Sequence, residues 1–316
     1  MTVAVPLACY AAALAVAAPR LLPRTSWLRR SPRLGVGAWL AVCASVVAAT
    51  ILAGLSLTVS AARVGGDIAH WLHACALALR DHYASPFQPT GGLAGATLAV
   101  LVTGWTIGHI AVALIAGARR RRAHADGLTL LARRDPGLGV DVVEHDRPAA
   151  YCLPGRRHRI VVTRAAVERL TPDQLAAVIA HERAHVTGRH HLVLAVGRGL
   201  DRALGFVPLF RTAAEEIAYL VELAADDAAA RHRDRTTVAA ALFAVATGPA
   251  PAGALGAAGP GALGRIRRML AAPQPLSRRT RVACVTAVHG LLALPLVIAA
   301  HPAVLAVIDH HCPLWH

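Results

Sequence analysis

Thr171-Pro-Asp-Gln-Leu-Ala-Ala-Val-Ile-Ala-His181-Glu182-Arg-Ala-His185 is the stretch on which the reading of this chain turns. Thr171 can cap a helix, Pro172 suits its first turn, and Gln174 can reach back to complete a capping box. Leu175, Val178, Ile179 and Val186 then give the helix an apolar face. On such a helix His181 and His185 lie four residues apart and project from one side, the spacing that two zinc ligands need. Glu182 falls beside the water that a metal there would activate, so it is the candidate general base. With 17 His and 6 Glu in 316 residues, this five-residue pattern should arise by accident only roughly 0.02 times.

The rest of the chain reads as a membrane protein. It is 55% hydrophobic, its mean hydropathy is +0.48, and only 16% of its residues are charged. All basic residues are Arg, and neither Lys nor Asn occurs, which reads as codon bias. The net charge of +15 would suit nucleic acid or the anionic face of a bilayer. Arg clusters at the ends of apolar runs and no nucleic-acid recognition motif is visible, so the bilayer is the expected partner and direct nucleic-acid binding is not.

Four apolar runs are candidate spans: Val3–Ala18, Leu34–Val59, Leu93–Ala116 and Val282–Ile308. The first is read as a retained span, because Met1-Thr2-Val3 carries no basic side chain and Arg follows the apolar run. Arg20, Arg24, Arg29, Arg30 and Arg33, then Arg119–Arg122, then Arg278, Arg279 and Arg281 mark cytoplasmic ends. The expectation is a multi-pass protein of the plasma membrane, its N-terminus, residues 60–92 and Asp309–His316 outside. The expected units are an N-terminal membrane domain over 1–117, a cytoplasmic domain over 118–281, and a last span with a short tail over 282–316.

Within the cytoplasmic part, Val140–Glu144 is a strand candidate. Ala150–Leu153 and Arg159–Thr163 read as a hairpin through Pro154-Gly155 and a basic loop. Leu192–Phe210 is apolar enough to cross, but Arg198, Asp201, Arg202 and its Gly/Pro breaks favour an interfacial or buried helix pair. Thr212 and Glu215 form a second capping box, opening a helix to about Arg231. Gly248–Gly264, nearly all Gly, Ala and Pro, reads as a mobile linker.

A catalytic zinc needs a third protein ligand. Glu222 is the expected one: it is helical, acidic and flanked by apolar residues, whereas Glu215 and Glu216 sit where acids merely favour a helix dipole. Asp226, one turn on, would orient an imidazole through its N–H, and Asp227 points elsewhere. For the oxyanion donor, His190, Tyr219, His232 and Arg265 all stand open.

Ile160-Val-Val-Thr163, the 170–185 stretch and Glu222-Leu-Ala-Ala-Asp226 together resemble the BlaR/MecR antirepressor peptidases and their HtpX-type relatives. The resemblance covers about 150–270. It implies a zincin-type, gluzincin α+β metallopeptidase domain inserted between spans three and four, with Zn2+ held by His181, His185 and Glu222 and Glu182 as base. Arg265-Ile-Arg-Arg268 resembles the basic segment that follows in these relatives, although Gly259-Pro260 stands where HtpX-type proteins carry His-Pro. Three spans, a peptidase and a final span favour BlaR/MecR, but the penicillin-binding domain of those sensors is not expected after the last span. Any signal would then enter through 60–92, the spans or a partner.

The resemblance implies a signal-transducing endopeptidase that cleaves a cytoplasmic protein such as a BlaI/MecI-like DNA-binding repressor, with self-cleavage in the Gly/Ala/Pro linker and a possible homodimer. The alternatives are HtpX-like quality control of membrane proteins, and a non-proteolytic scaffold whose metal site is closed by a fourth protein ligand. Cys152 reads as a reduced, buried thiol, and Cys75 with Cys312 as a possible outer disulfide. His70, His73, His82, His310, His311 and His316 read as scattered surface residues, while His109 and His289 are expected to face the bundle interior.

Overall fold

The computed structural model describes residues 3–59, 90–154, 158–246 and 261–311. The expectations for the outer loop with Cys75, for Cys312, and for most of the Gly/Ala/Pro linker lie outside the described residues.

The N-terminal half is helical: α1 Ala4–Leu21, a 3-10 turn Leu22–Arg24, α2 Ser26–Arg30, α3 Pro32–Val59 and α4 Thr90–Leu131. Four strands follow: β1 Ala132–Asp135, β2 Val140–Val143, β3 Ala150–Leu153 and β4 Arg159–Thr163. The remaining helices are α5 Arg164–Arg169, α6 Pro172–Thr187, α7 His190–Leu204, α8 Pro208–Ala229, α9 Arg235–Ala246, α10 Ala262–Leu270 and α11 Arg278–His311. Among the described residues, four helical stretches are long and apolar enough to cross a bilayer: Ala4–Arg24, Pro32–Leu57, Gly92–Leu128 and Arg278–His301. They fit a multi-pass membrane protein. Val100, Leu101 and Ile107 on α4 and Leu296 and Val297 on α11 stand exposed, as side chains that meet lipid would.

The spans pack by two devices suited to an environment without water. Small residues let backbones touch: a Cβ on Gly54 or Gly95 would run into the other's carbonyl, which sets the crossing of α3 and α4. Polar groups close gaps in the backbone ladder. Pro295 has no N–H for the carbonyl of Leu291, four residues earlier. Ser45 Oγ on α3 donates to that carbonyl at 2.6 Å, and Tyr10 Oη on α1 lies 3.3 Å from it and 2.7 Å from Ser45 Oγ. One proline thus binds three spans together. His109 and His289 satisfy themselves locally instead, donating to the carbonyls of Trp105 and Val285 on their own helices. His289 is exposed rather than turned into the bundle, because that bond relieves it of needing a partner helix.

The sheet order is β1-β2-β4-β3. The β3–β4 hairpin is antiparallel in the expected place, and β2 runs parallel to β4. β1 was not legible: Ala132-Arg-Arg-Asp135 shows no apolar alternation, since it is an edge strand whose Arg134 reaches Asp141 at 3.6 Å. One sheet face, with Val140, Val142 and Val162, packs on Leu175 and Ile179 of α6. On the other, Val161 and Leu153 meet Leu128 at the far end of α4. The sheet is therefore clamped between α6 and a continuation of the third span.

The capping box at Thr171 and Gln174 is formed on both sides, at 3.3 and 3.0 Å. The expected second box is not. α8 begins at Pro208, so Thr212 and Glu215 lie inside it. Pro208 suits a first helical turn, and Leu209 and Phe210 are buried at once among α1 and α3, drawing the helix start forward.

Combining Tyr10→Phe with Ser45→Ala should leave the Leu291 carbonyl without partners. The expected loss is about 1–2 kcal/mol, seen as a lower unfolding temperature of the detergent-solubilised chain; an unchanged transition would mean the carbonyl is satisfied otherwise.

Candidate active site

The capping box aims α6, and its 3.6-residue repeat brings His181 and His185 onto one side, their Nε2 atoms 3.0 Å apart. α8 lies against α6 and presents Glu222 to the same point. Glu222 Oε2 is 3.5 Å from His181 Nε2, and Oε1 is 3.5 Å from His185 Nε2. Among the described residues these three form the group able to hold a metal, their ligand atoms all within 4.8 Å of one another. Two imidazole nitrogens and one carboxylate are donors that would suit a zinc ion, and among the described residues no fourth His, Cys, Asp or Glu joins the group.

The support behind the group is ionic and buried. Asp226 Oδ1 lies 3.0 Å from His181 Nδ1, a short but poorly aligned contact. Arg265 of α10 grips Asp226 with two bonds, Nε to Oδ2 at 2.8 Å and Nη2 to Oδ1 at 2.7 Å, and its Nη1 reaches Glu222 Oε2 at 2.8 Å. Asp226 is 0% exposed and Arg265 3%, so neither charge has water to fall back on. Alongside, Arg268 takes Asp227 at 2.7 and 2.8 Å and the Arg29 carbonyl at 3.1 Å. Gly261, at φ 106°, starts α10 in a conformation open to glycine, and a Cβ there would strike the ring of Tyr219.

These neighbours set the protonation pattern. Burial opposes charge on His181, but the Asp226 and Glu222 carboxylates carry its pKa up to about 10. Burial and the cation at His181 drive His185 down to about 3. Glu222 is held at about 2: burial alone would raise it, and His181 and Arg265 overcome that. Glu182 moves the other way. Desolvation raises it to about 7 against the pull of His181.

The four candidate oxyanion donors separate. His190 Nδ1 sits 3.0 Å from His185 Nδ1, behind a ligand. The turn that puts it there is tight: Arg189 is at φ 49°, the lone non-glycine with positive φ among the described residues, and a Cβ on Gly188 would collide with the His190 ring. Arg265 spends its guanidinium on Asp226 and Glu222. Tyr219 packs beneath Gly261 and Gly264, with Arg29 5.8 Å over its ring. His232 is exposed past the end of α8 and faces Ala180, Arg183 and Ala184, away from the ligands.

One neighbour escaped sequence reading. Cys152 on β3 is half-buried beside Glu182, and burial together with that carboxylate pushes the thiol up to about 12. Only the pairing of strand and helix reveals it.

Residues 118–218 match peptidase family M48. The matched stretch carries the sheet and α6 with His181, Glu182 and His185, and it stops short of Glu222 and Asp226. The M48 match supports a metallopeptidase, and peptidases of that family are metal-dependent, usually on zinc. No curated protein and no solved structure matches the chain significantly.

Asp226→Asn should keep the ligands but lower metal affinity about 10–100-fold in a chelator competition. Arg265→Leu, which strips buried Asp226 and half-buried Glu222 of their counter-charge, should cost about 3–5 kcal/mol of stability. Wild-type-like melting of Arg265→Leu would show the network to be wet.

Proposed function

We propose that this protein is a membrane-anchored zinc endopeptidase that cuts an extended segment of a cytoplasmic protein. The observation that carries it is the His181–His185–Glu222 group with Glu182 lining the same cavity as His181. The M48 match supports the same class of chemistry.

Zn2+ held by those three residues would supply the Lewis acid that polarises a peptide carbonyl and acidifies water. The chain supplies the rest. Asp226 steadies His181, and Arg265 keeps Glu222 and Asp226 ionised and in place. Glu182 accepts a proton from the attacking water and returns it to the departing amine. Among the described residues β3 is an edge strand paired with β4, and its Ala150 lines the same cavity as His181 and Glu182. A substrate strand laid along that free edge would bring its backbone past Glu182. Val178, Val238, Ala241, Leu242 and Val245 make the cavity apolar, which suits a hydrophobic side chain next to the scissile bond.

The resemblance of 150–270 to the BlaR/MecR antirepressors makes a DNA-binding repressor the substrate we favour, with a signalling role at the plasma membrane. HtpX-like quality control uses the same site and differs only in what is presented to it. The scaffold reading is disfavoured because His190, the nearest spare imidazole, contacts His185 and does not complete the ligand group.

The purified full-length protein should contain about one zinc and cleave an offered repressor. Glu182→Gln should keep the metal and lose about 10²–10⁴-fold in rate. If both proteins hold zinc and neither cuts repressors or unfolded membrane proteins, the scaffold reading gains. Stripping zinc with a chelator should abolish cleavage, and zinc addition should restore it.

A further inference from the structure

The α7–α8 hairpin carries more than the metal site needs, and its position relative to the spans is unusual for a cytoplasmic segment. Depth can be read from residue counts along the spans. Tyr10, Ser45 and the Leu291 carbonyl meet at one level. Ser45 lies 12 residues from Arg33 on α3, about 18 Å of helix, which is close to the middle of a hydrocarbon core of about 30 Å. Trp105 on α4 lies 14 residues from Arg119, about 21 Å, at a comparable depth.

α7 reaches that depth. It begins near the Arg-rich ends, where His190 and His191 feel the charges of Arg33 and Arg121. Gly199 then lies directly on α4, where a Cβ would meet Ile110 Cα at 2.7 Å. One turn further, the Ala203 carbonyl accepts from the Trp105 indole N–H at 2.8 Å. α8 makes the return journey. Leu209 and Phe210 are buried in one core with Leu7 and Ala11 of α1 and Val42 and Val46 of α3. By Leu220 the helix is back beside Gly35 and Leu28, at the cytoplasmic start of α3. At the turn itself Phe206 is 81% exposed, the highest value for a large apolar side chain among the described residues. Its surroundings continue the exposed apolar surface of α4, with Leu101 at 62% and Trp105 at 57%.

We propose that α7–α8 is a re-entrant hairpin whose Gly205-Phe206-Val207 tip sits among lipid acyl chains near the middle of the bilayer. The charges on the hairpin explain why it turns back instead of crossing. Arg198 and Arg202 stand on the exposed side of α7, where Cα–Cβ bonds tilt toward the helix N-terminus and so toward the interface they can snorkel to. Asp201 faces the turn at Gly205, and Arg211 and Glu215 share one face of α8 a turn apart. A complete crossing would carry these groups through hydrocarbon, whereas a hairpin keeps both its ends, and Glu222 and Asp226 with them, on the Arg-rich side. The metal group is thereby tied to the membrane surface by the same helix that supplies its carboxylates.

The test uses the wild-type full-length protein in nanodiscs of phosphatidylcholine and phosphatidylglycerol, doped with a lipid carrying a diazirine at the acyl-chain end. After irradiation, labelled peptides are mapped by mass spectrometry. The expected result is labelling of the peptide containing Phe206 to the same extent as peptides of α4 and α11, with α6 unlabelled. Labelled spans beside an unlabelled tip would overturn the proposal, and unlabelled spans would overturn it together with the membrane reading. A nitroxide at Phe206→Cys, with the native cysteines replaced, provides the second measurement. Relaxation by oxygen rather than by a water-soluble nickel chelate supports the insertion, and the reverse preference refutes it.

Discussion

The cost of burying charge organises this molecule. Asp226 and Arg265 are both shut away from water, and an ion removed from water costs several kcal/mol unless a partner meets it with good geometry. Their two-pronged pairing therefore allows few ways of bringing α8 and α10 together. The third donor of Arg265 lands on Glu222, and the inner oxygen of Asp226 faces His181. The ion pair and the group of candidate ligands are thus one connected cluster, in which α6, α8 and α10 meet through charged contacts. Arg268, Asp227 and the Arg29 carbonyl extend the same logic to the loop between the first two spans, so the site and the membrane part share one support.

The bilayer imposes the complementary rule that no backbone group goes unpaired. Two carbonyls show how the chain obeys it. Leu291, abandoned by Pro295, is met by Ser45 and Tyr10; Ala203, near the end of α7, is met by Trp105. Each bond joins elements far apart in sequence, and each sits where close packing is already granted by small residues such as Gly54, Gly95 and Gly199. The membrane part and the α7–α8 hairpin consequently share one hydrophobic core rather than forming separate bodies.

Much of this was legible along the chain, for local reasons. The four apolar stretches declare themselves by length, the α6 start by Thr171, Pro172 and Gln174, and the β3–β4 hairpin by its alternation and Pro154-Gly155. β1 was hidden because an exposed edge strand needs no apolar pattern. The false second box at Thr212 had good cap chemistry, but burial of Leu209 and Phe210 overrode it. His289 was expected inward because a polar group in a span wants a partner; a carbonyl of its own helix served instead.

His181 and His185 could be placed side by side from sequence alone because helical geometry converts a spacing of four residues into a shared face without help from the rest of the protein. The residues that complete the site come from other elements: Glu222 and Asp226 from α8, Arg265 from α10 and Cys152 from β3. Sequence nominated the first two from their helical, acidic setting, with a resemblance agreeing, counted Arg265 only among four candidate oxyanion donors, and was silent about Cys152 beside Glu182. Local spacing determines which side chains share a face. Only tertiary packing decides which faces meet, because the energies that choose between them, burial of apolar surface and pairing of desolvated charge, act between segments the chain keeps apart.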